Sequence, residues 1–106
     1  MWLFSKSGFF SAVQNFNDSN LIHVRANFEG DLERLCKTYG IEPNVKRVPG
    51  SDYTFRMDFT RDQWDKILLG EARAIDYPKF KPAVHDGTKR DSAYLKVFFT
   101  MQDFQD

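Results

Sequence analysis

Along Tyr53 to Phe80 the hydrophobic pattern changes period without a gap. Tyr53, Phe55, Met57 and Phe59 place apolar side chains on odd positions, with Thr54, Arg56, Asp58 and Thr60 between them. That alternation is the signature of a half-buried strand. Thr60 and Gln63 then have the spacing of a capping box, and Trp64, Ile67, Leu68, Ala72 and Ile75 recur at helical spacing. The strand and the helix are predicted to share one core.

Upstream, Trp2 to Phe4 and Phe9 to Gln14 read as two short strands joined by a tight turn at Ser5 to Gly8. Asn15 to Asn20, rich in residues whose side chains satisfy turns, is predicted to be an exposed loop. From Leu21 to Phe28 the pattern alternates again: Ile22, Val24, Ala26 and Phe28 share one face, and His23, Arg25 and Asn27 the other. Leu32, Leu35, Cys36 and Tyr39 fall at i, i+3, i+4 and i+7, which predicts a helix over 31–39 stopped by Gly40. Pro43 and Pro49 frame a basic stretch, Asn44 to Val48, suited to a sheet edge.

Downstream of the second helix, Pro78 and Pro82 break any continuous helix through Tyr77 to Val84, so a connector is expected there. A loop follows at Gly87 to Arg90, with Asp91 as helix cap. Tyr94, Val97, Phe98, Met101 and Phe104 then form a helical stripe, while Val97, Phe98, Phe99 and Thr100 are good strand formers that leave a closing strand open as the alternative. The order predicts one α+β domain over residues 1–106, a mostly antiparallel sheet with helices packed on one face. Leu21 to Ile75 has the strand-helix-strand-strand-helix order of a ferredoxin-like unit, preceded by a hairpin.

Composition narrows the function classes. Eleven phenylalanines and 42% hydrophobic residues in 106 can build one core without metal or disulfide support. Fifteen basic and fifteen acidic residues cancel, with seven of each in residues 1–60 and eight of each in 61–106, so neither half is a basic arm. This argues against strong sequence-independent nucleic-acid binding and leaves room for a local patch. Cys36 is the single cysteine and lies on the apolar face of the first helix, which places it in the core rather than at a reactive site. No apolar run approaches a membrane span or a signal peptide, and a cytoplasmic location is expected.

Two constellations are candidates for chemistry. If the strands at 21–28 and 53–59 are neighbours, His23, Arg25, Asn27, Thr54, Arg56 and Asp58 share an exposed face, where arginines can clamp an anion and a histidine can move a proton. Ordinary cross-strand charge pairing accounts for the same residues. The second is the basic and aromatic run Arg73, Tyr77, Lys79, Phe80, Lys81, His85, Lys89 and Arg90, a mixture able to stack bases and meet phosphates, or to meet an acidic protein surface. Its bland reading makes Tyr77 and Phe80 core anchors among solvated lysines. His23 and His85 have no cysteine or acidic neighbour at ligand spacing, so neither a metal nor another cofactor is expected. The chain has no glycine-rich phosphate loop, nucleophile elbow or zincin motif.

Trp2-Leu3-Phe4 with Gly8-Phe9-Phe10-Ser11, Val24-Arg25-Ala26 with Gly30-Asp31-Leu32-Glu33, Asp52-Tyr53 with Arg56, and Ile75-Asp76-Tyr77-Pro78-Lys79-Phe80-Lys81 together resemble a family of small uncharacterised bacterial proteins. The resemblance covers most of the chain and implies a self-contained domain. It brings no activity, cofactor or catalytic residue. In the tail, Phe98 and Phe99 stand where that family closes with a tyrosine and tryptophan helix.

The function expected from these features is a non-enzymatic module that binds a protein partner as regulator or inhibitor, of which a mobile-element protein that blocks a host defence complex is one instance. Tyr77, Lys79, Phe80, Lys81, Lys89 and Arg90 are its expected partner-binding residues. Two alternatives stand beside it. One is an RNA or single-stranded nucleic-acid-binding domain using the sheet face and connector. The other is a small nuclease using His23 with Asp58 or Asp18. A homodimer, paired through the edge at Asn44 to Val48 or through the aromatic tail, is compatible with all three.

Overall fold

Lys6 and Ser7 alone separate the first two strands, so β1 (Trp2–Ser5) and β2 (Gly8–Gln14) form a tight antiparallel hairpin with Ser5 opposite Gly8. The computed structural model describes residues 1–76 and 87–106, which divide into two compact units, Met1–Ala74 and Ile75–Asp106. In the loop after β2, Asn15 Oδ1 accepts the backbone N–H groups of Asn17 (2.8 Å) and Asp18 (3.1 Å), and Asp18 Oδ1 accepts that of Asn20 (2.9 Å). The loop thus satisfies its own backbone, as its composition predicts.

β3 (Leu21–Ala26) pairs antiparallel with β2 and with β5 (Phe55–Thr60), and β5 pairs antiparallel with the two-residue β4 (Lys46–Arg47). The five strands stand in the order β1-β2-β3-β5-β4. The fold is α+β on an antiparallel sheet. Within it, β3, β5 and β4 have the neighbours expected of a ferredoxin-like unit. The place beside β3 that a closing strand would take is filled by β2. The last segment has no vacancy there to occupy, and residues 89–103 are helix.

α1 (Asp31–Tyr39) turns its Leu32, Leu35 and Cys36 inward and stops at Gly40, whose φ of 67° is a left-handed conformation that a side chain disfavours. α2 (Arg61–Arg73) starts at Thr60, where Oγ1 accepts the Gln63 N–H (3.1 Å) and the Gln63 side chain accepts the Thr60 N–H (2.9 Å). Phe10, Ala12, Ile22, Val24, Ala26, Phe55, Met57 and Phe59 line one sheet face and share a core with α1 residues and with Trp64 and Ile67 of α2. Burial of each large side chain here contributes about 1.5–3 kcal/mol. Cys36 is fully buried with its Sγ 3.4 Å from Met57 Sδ, and burial, followed by the charges of Glu33 and Glu42, raises its thiol pKa.

Several expected boundaries move. β3 ends at Ala26, β4 shrinks to Lys46–Arg47, and β5 begins at Phe55, with Tyr53 and Thr54 in the preceding bend. α2 ends at Arg73, so Ile75 lies beyond it and is exposed, and Ala72 also faces solvent. The buried line of α2 runs through Trp64, Ile67 and Glu71. In the second unit, α3 (Lys89–Asp103) takes Thr88 as its N-cap, with Asp91 in the first turn instead of at the cap. Asp91 Oδ2 accepts the Gly87 N–H at 3.1 Å.

Candidate functional site

Strand register decides what the face opposite the core displays. Trp2 lies across from Ser11, Ser11 from Arg25, Arg25 from Arg56, and Arg56 from Lys46, so one row crosses all five strands. In the next row Val13, His23 and Asp58 are neighbours. His23, Arg25, Arg56 and Asp58 are therefore brought together as the alternation predicts. Thr54 leaves the row because it precedes β5, and its carbonyl accepts the Val48 N–H (2.7 Å). Asn27 lies past β3 and donates to the Asp52 carbonyl (3.2 Å).

Both arginines on this face have local partners. Arg25 donates to Ser11 Oγ (2.7 Å) and lies over the Tyr53 ring, 4.7 Å from its centroid. Arg56 donates through Nε to the Tyr53 carbonyl (3.0 Å) and through Nη2 to Asp52 (2.9 Å). The two guanidiniums therefore organise the 51–54 bend as well as forming the row. Beside them Trp2 and Phe9 meet edge to face at 5.7 Å, and Phe4 meets Phe9 at 6.0 Å.

His23 Nδ1 lies 2.9 Å from Asp58 Oδ1, which also accepts the Asn15 side-chain N–H (3.0 Å). Burial acts to raise the Asp58 pKa, but hydrogen bonds from Asn15 and His23 and the charges of His23 and Lys46 outweigh it, and the carboxyl is held below its ordinary range. Asp58 thereby orients the imidazole through Nδ1 and leaves Nε2 pointing away from the pair, the geometry of an oriented proton acceptor. Asp18 is occupied in its own turn.

A second cluster has no counterpart among the sequence candidates. Glu71 is 8% exposed on the core side of α2, where Ser5 Oγ donates to Oε1 (2.6 Å) and the Tyr39 hydroxyl to Oε2 (2.5 Å). Burial pushes the Glu71 pKa upward, but hydrogen bonds from Ser5, Ser7 and Tyr39 and the charge of Lys6 outweigh it, so the net shift is downward. Tyr39 is pushed well above its ordinary range, by burial first and then by the hydrogen bond to Glu71 and its charge. This cluster ties the β1–β2 turn to the ends of both helices. The sequence signal for it was the position of Glu71, seven residues after Trp64 and four after Ile67, on the apolar line.

Tyr77, Lys79, Phe80, Lys81 and His85 lie outside the described residues. Lys89 and Arg90 open the first turn of α3. Along that helix Tyr94 is buried, while Leu95, Val97, Phe98, Phe99, Met101 and the capping Phe104 are exposed, from 37% at Leu95 to 82% at Phe104. Among the described residues no group of three histidine, cysteine, aspartate or glutamate side chains is placed to hold a metal ion, and no helix is long and apolar enough to cross a membrane. Compared with family models, curated proteins and solved structures, the chain matches none.

Proposed function

We propose that this protein is a small non-enzymatic module that acts in the cytoplasm by binding a protein partner, as a regulator or inhibitor. One observation carries the reading: α3 leaves Val97, Phe98, Phe99, Met101 and Phe104 in solvent within one short segment. Isolated exposed hydrophobics are ordinary, but a contiguous run of large ones favours a surface that is covered in use. Aromatic and methionine side chains are also those enriched where proteins meet. The connector residues Tyr77, Lys79, Phe80 and Lys81 belong to the same reading. The test is recovery of a stoichiometric protein with the tagged chain, repeated with Phe98→Ser and Met101→Ser together. Loss of that protein at an unchanged melting temperature supports the reading. Retention of the partner, or collapse of the fold, overturns it.

A second reading, binding of RNA or single-stranded nucleic acid, is favoured by the row of Arg25, Arg56 and Lys46 beside the Trp2–Phe9 pair. Cations track phosphates and aromatic faces stack bases. Against it, both arginines already have protein partners. Oligonucleotide binding that weakens steeply from low to physiological salt and disappears with Lys46→Ala and Arg56→Ala together would establish it; salt-independent binding, or none, removes it.

A further inference from the structure

We infer that Glu71 is an acid-released latch on the β1–β2 hairpin: protonation of its carboxylate lets β1 part from β2 while β2, β3 and β5 stay paired. The inference goes beyond the protein-binding reading and concerns residues of the first unit alone.

β1 stands at one end of the sheet order and, among the described residues, pairs with β2 alone. Its Leu3 is only partly buried against the core, and Trp2 is 73% exposed. Strands so placed open locally at a lower free energy than the sheet they border. Ser5 ties the end of β1 to the helices. Its Oγ donates to Glu71 Oε1 and accepts the Ser7 N–H (3.2 Å), so one hydroxyl joins the buried carboxylate to the turn.

The latch uses both oxygens of Glu71. Oε1 takes Ser5 Oγ at 2.6 Å and Oε2 the Tyr39 hydroxyl at 2.5 Å, distances of charge-assisted hydrogen bonds. A proton on either oxygen removes that acceptor and the negative charge that strengthens both bonds. Of the two donors Tyr39 is the one held in place, since its ring is packed against Gly70, where a Cβ would lie 2.2 Å from Cε1. Ser5, on the edge strand, is the one free to withdraw.

The charged groups around the latch come from each neighbouring element. Burial disfavours the ionised carboxyl, but the hydrogen bonds of Ser5, Ser7 and Tyr39 and the charge of Lys6 outweigh it, so the closed hairpin holds Glu71 below its ordinary 4.5. With β1 detached the carboxyl returns toward that ordinary value. Closure is therefore fully supported above it and loses support as pH falls through the lower value of the closed form. On α1, Arg34 donates to the Ser7 carbonyl (3.2 Å) and to Asp31 (2.6 Å), and on α2, Lys66 donates to the Tyr39 carbonyl (3.2 Å). Asp31 is thus a second carboxylate near the turn, and variants of Glu71 and Ser5 separate it from the latch.

The sheet supplies an internal reference for the test. Met1 and Ala12 exchange backbone hydrogen bonds at 2.8 Å, and the Asn15 N–H donates to the Leu21 carbonyl. The alternation of an antiparallel ladder then turns the N–H groups of Phe10 and Ala12 toward β1 and those of Ser11 and Val13 toward β3. Amide hydrogen exchange of the full chain, read by NMR as protection factors from about pH 6 to about pH 3, compares the two sets. Phe10 and Ala12 should lose protection about tenfold or more relative to Ser11 and Val13 as pH falls. In Glu71→Gln the loss should already be present at the upper pH and change little with acid. No loss in the wild type, equal loss at all four amides, or an undiminished acid response in Glu71→Gln overturns the inference. Should Glu71→Gln fail to fold, Ser5→Ala decides, because it cuts the turn from Glu71 and leaves the Tyr39 bond in place. Phe10 and Ala12 should then be deprotected at the upper pH, and protection equal to the wild type overturns the inference.

Discussion

The Tyr39 hydroxyl at the end of α1 donates to Glu71 near the end of α2 across 2.5 Å, and the Tyr39 ring lies directly over Gly70. A Cβ built on Gly70 would collide with that ring, at 2.8 Å from Cζ. Glycine in a helix interior costs about 1 kcal/mol against alanine. Here it is what lets the two helices meet. Gly70→Ala is expected to destabilise the protein by about 1–2 kcal/mol net, the overpacking cost exceeding the gain in helix propensity. Urea unfolding checks this, and a stabilised variant would show that the ring moves aside freely.

The same pair sets a pH dependence. The Glu71 carboxyl has a folded pKa below its ordinary value of 4.5, so its stabilising contribution is present above that value and is lost as pH falls through the lower folded one. Tyr39 works at the other limit. Its folded pKa lies above the ordinary 10.0, so its contribution is intact below about pH 10 and declines as pH rises beyond it. Glu71→Gln should flatten the acid limb of the stability curve, and Tyr39→Phe the alkaline limb. An acid limb unchanged in Glu71→Gln would assign it to other carboxylates.

His23 and Asp58 provide the check on the non-enzymatic reading. They sit 27% and 39% exposed at the side chain, so their pairing contributes little to stability, within about 1 kcal/mol. Asp58→Asn and His23→Ala should each leave the melting temperature nearly unchanged. NMR titration of Asp58 should report a carboxyl that ionises below its ordinary value of 3.8. Phosphodiester hydrolysis that vanishes with His23→Ala would place catalysis on this face and overturn the reading of the chain as a binding module.

Thr60 joins β5 to α2 through one reciprocal pair of hydrogen bonds with Gln63. Thr60→Ala removes the side-chain acceptor and should cost about 1 kcal/mol, whereas Thr60→Ser should cost a fraction of that. Thermal unfolding of the two variants separates loss of the cap from loss of the methyl group.

The sequence determined what depends on local period and local side-chain chemistry. Phe55, Met57 and Phe59 alternate because a strand has two faces; Thr60 and Gln63 satisfy neighbouring N–H groups; Gly40 adopts the left-handed turn that ends α1. The same alternation puts His23 and Asp58 on one face, where the pairing of β3 with β5 makes them meet. Tertiary structure decided the rest, because it depends on which surfaces are available. β2 fills the position beside β3, so residues 89–103 do not add a strand despite Val97, Phe98 and Phe99. Glu71, a polar residue on the apolar line of α2, is buried because Ser5 and Tyr39 arrive from distant parts of the chain to donate to it. Ile75 follows the helical period of α2 yet is exposed, since the helix ends at Arg73 and leaves no core for it to reach. Periodicity names the face a side chain takes, but burial follows from what packs against that face.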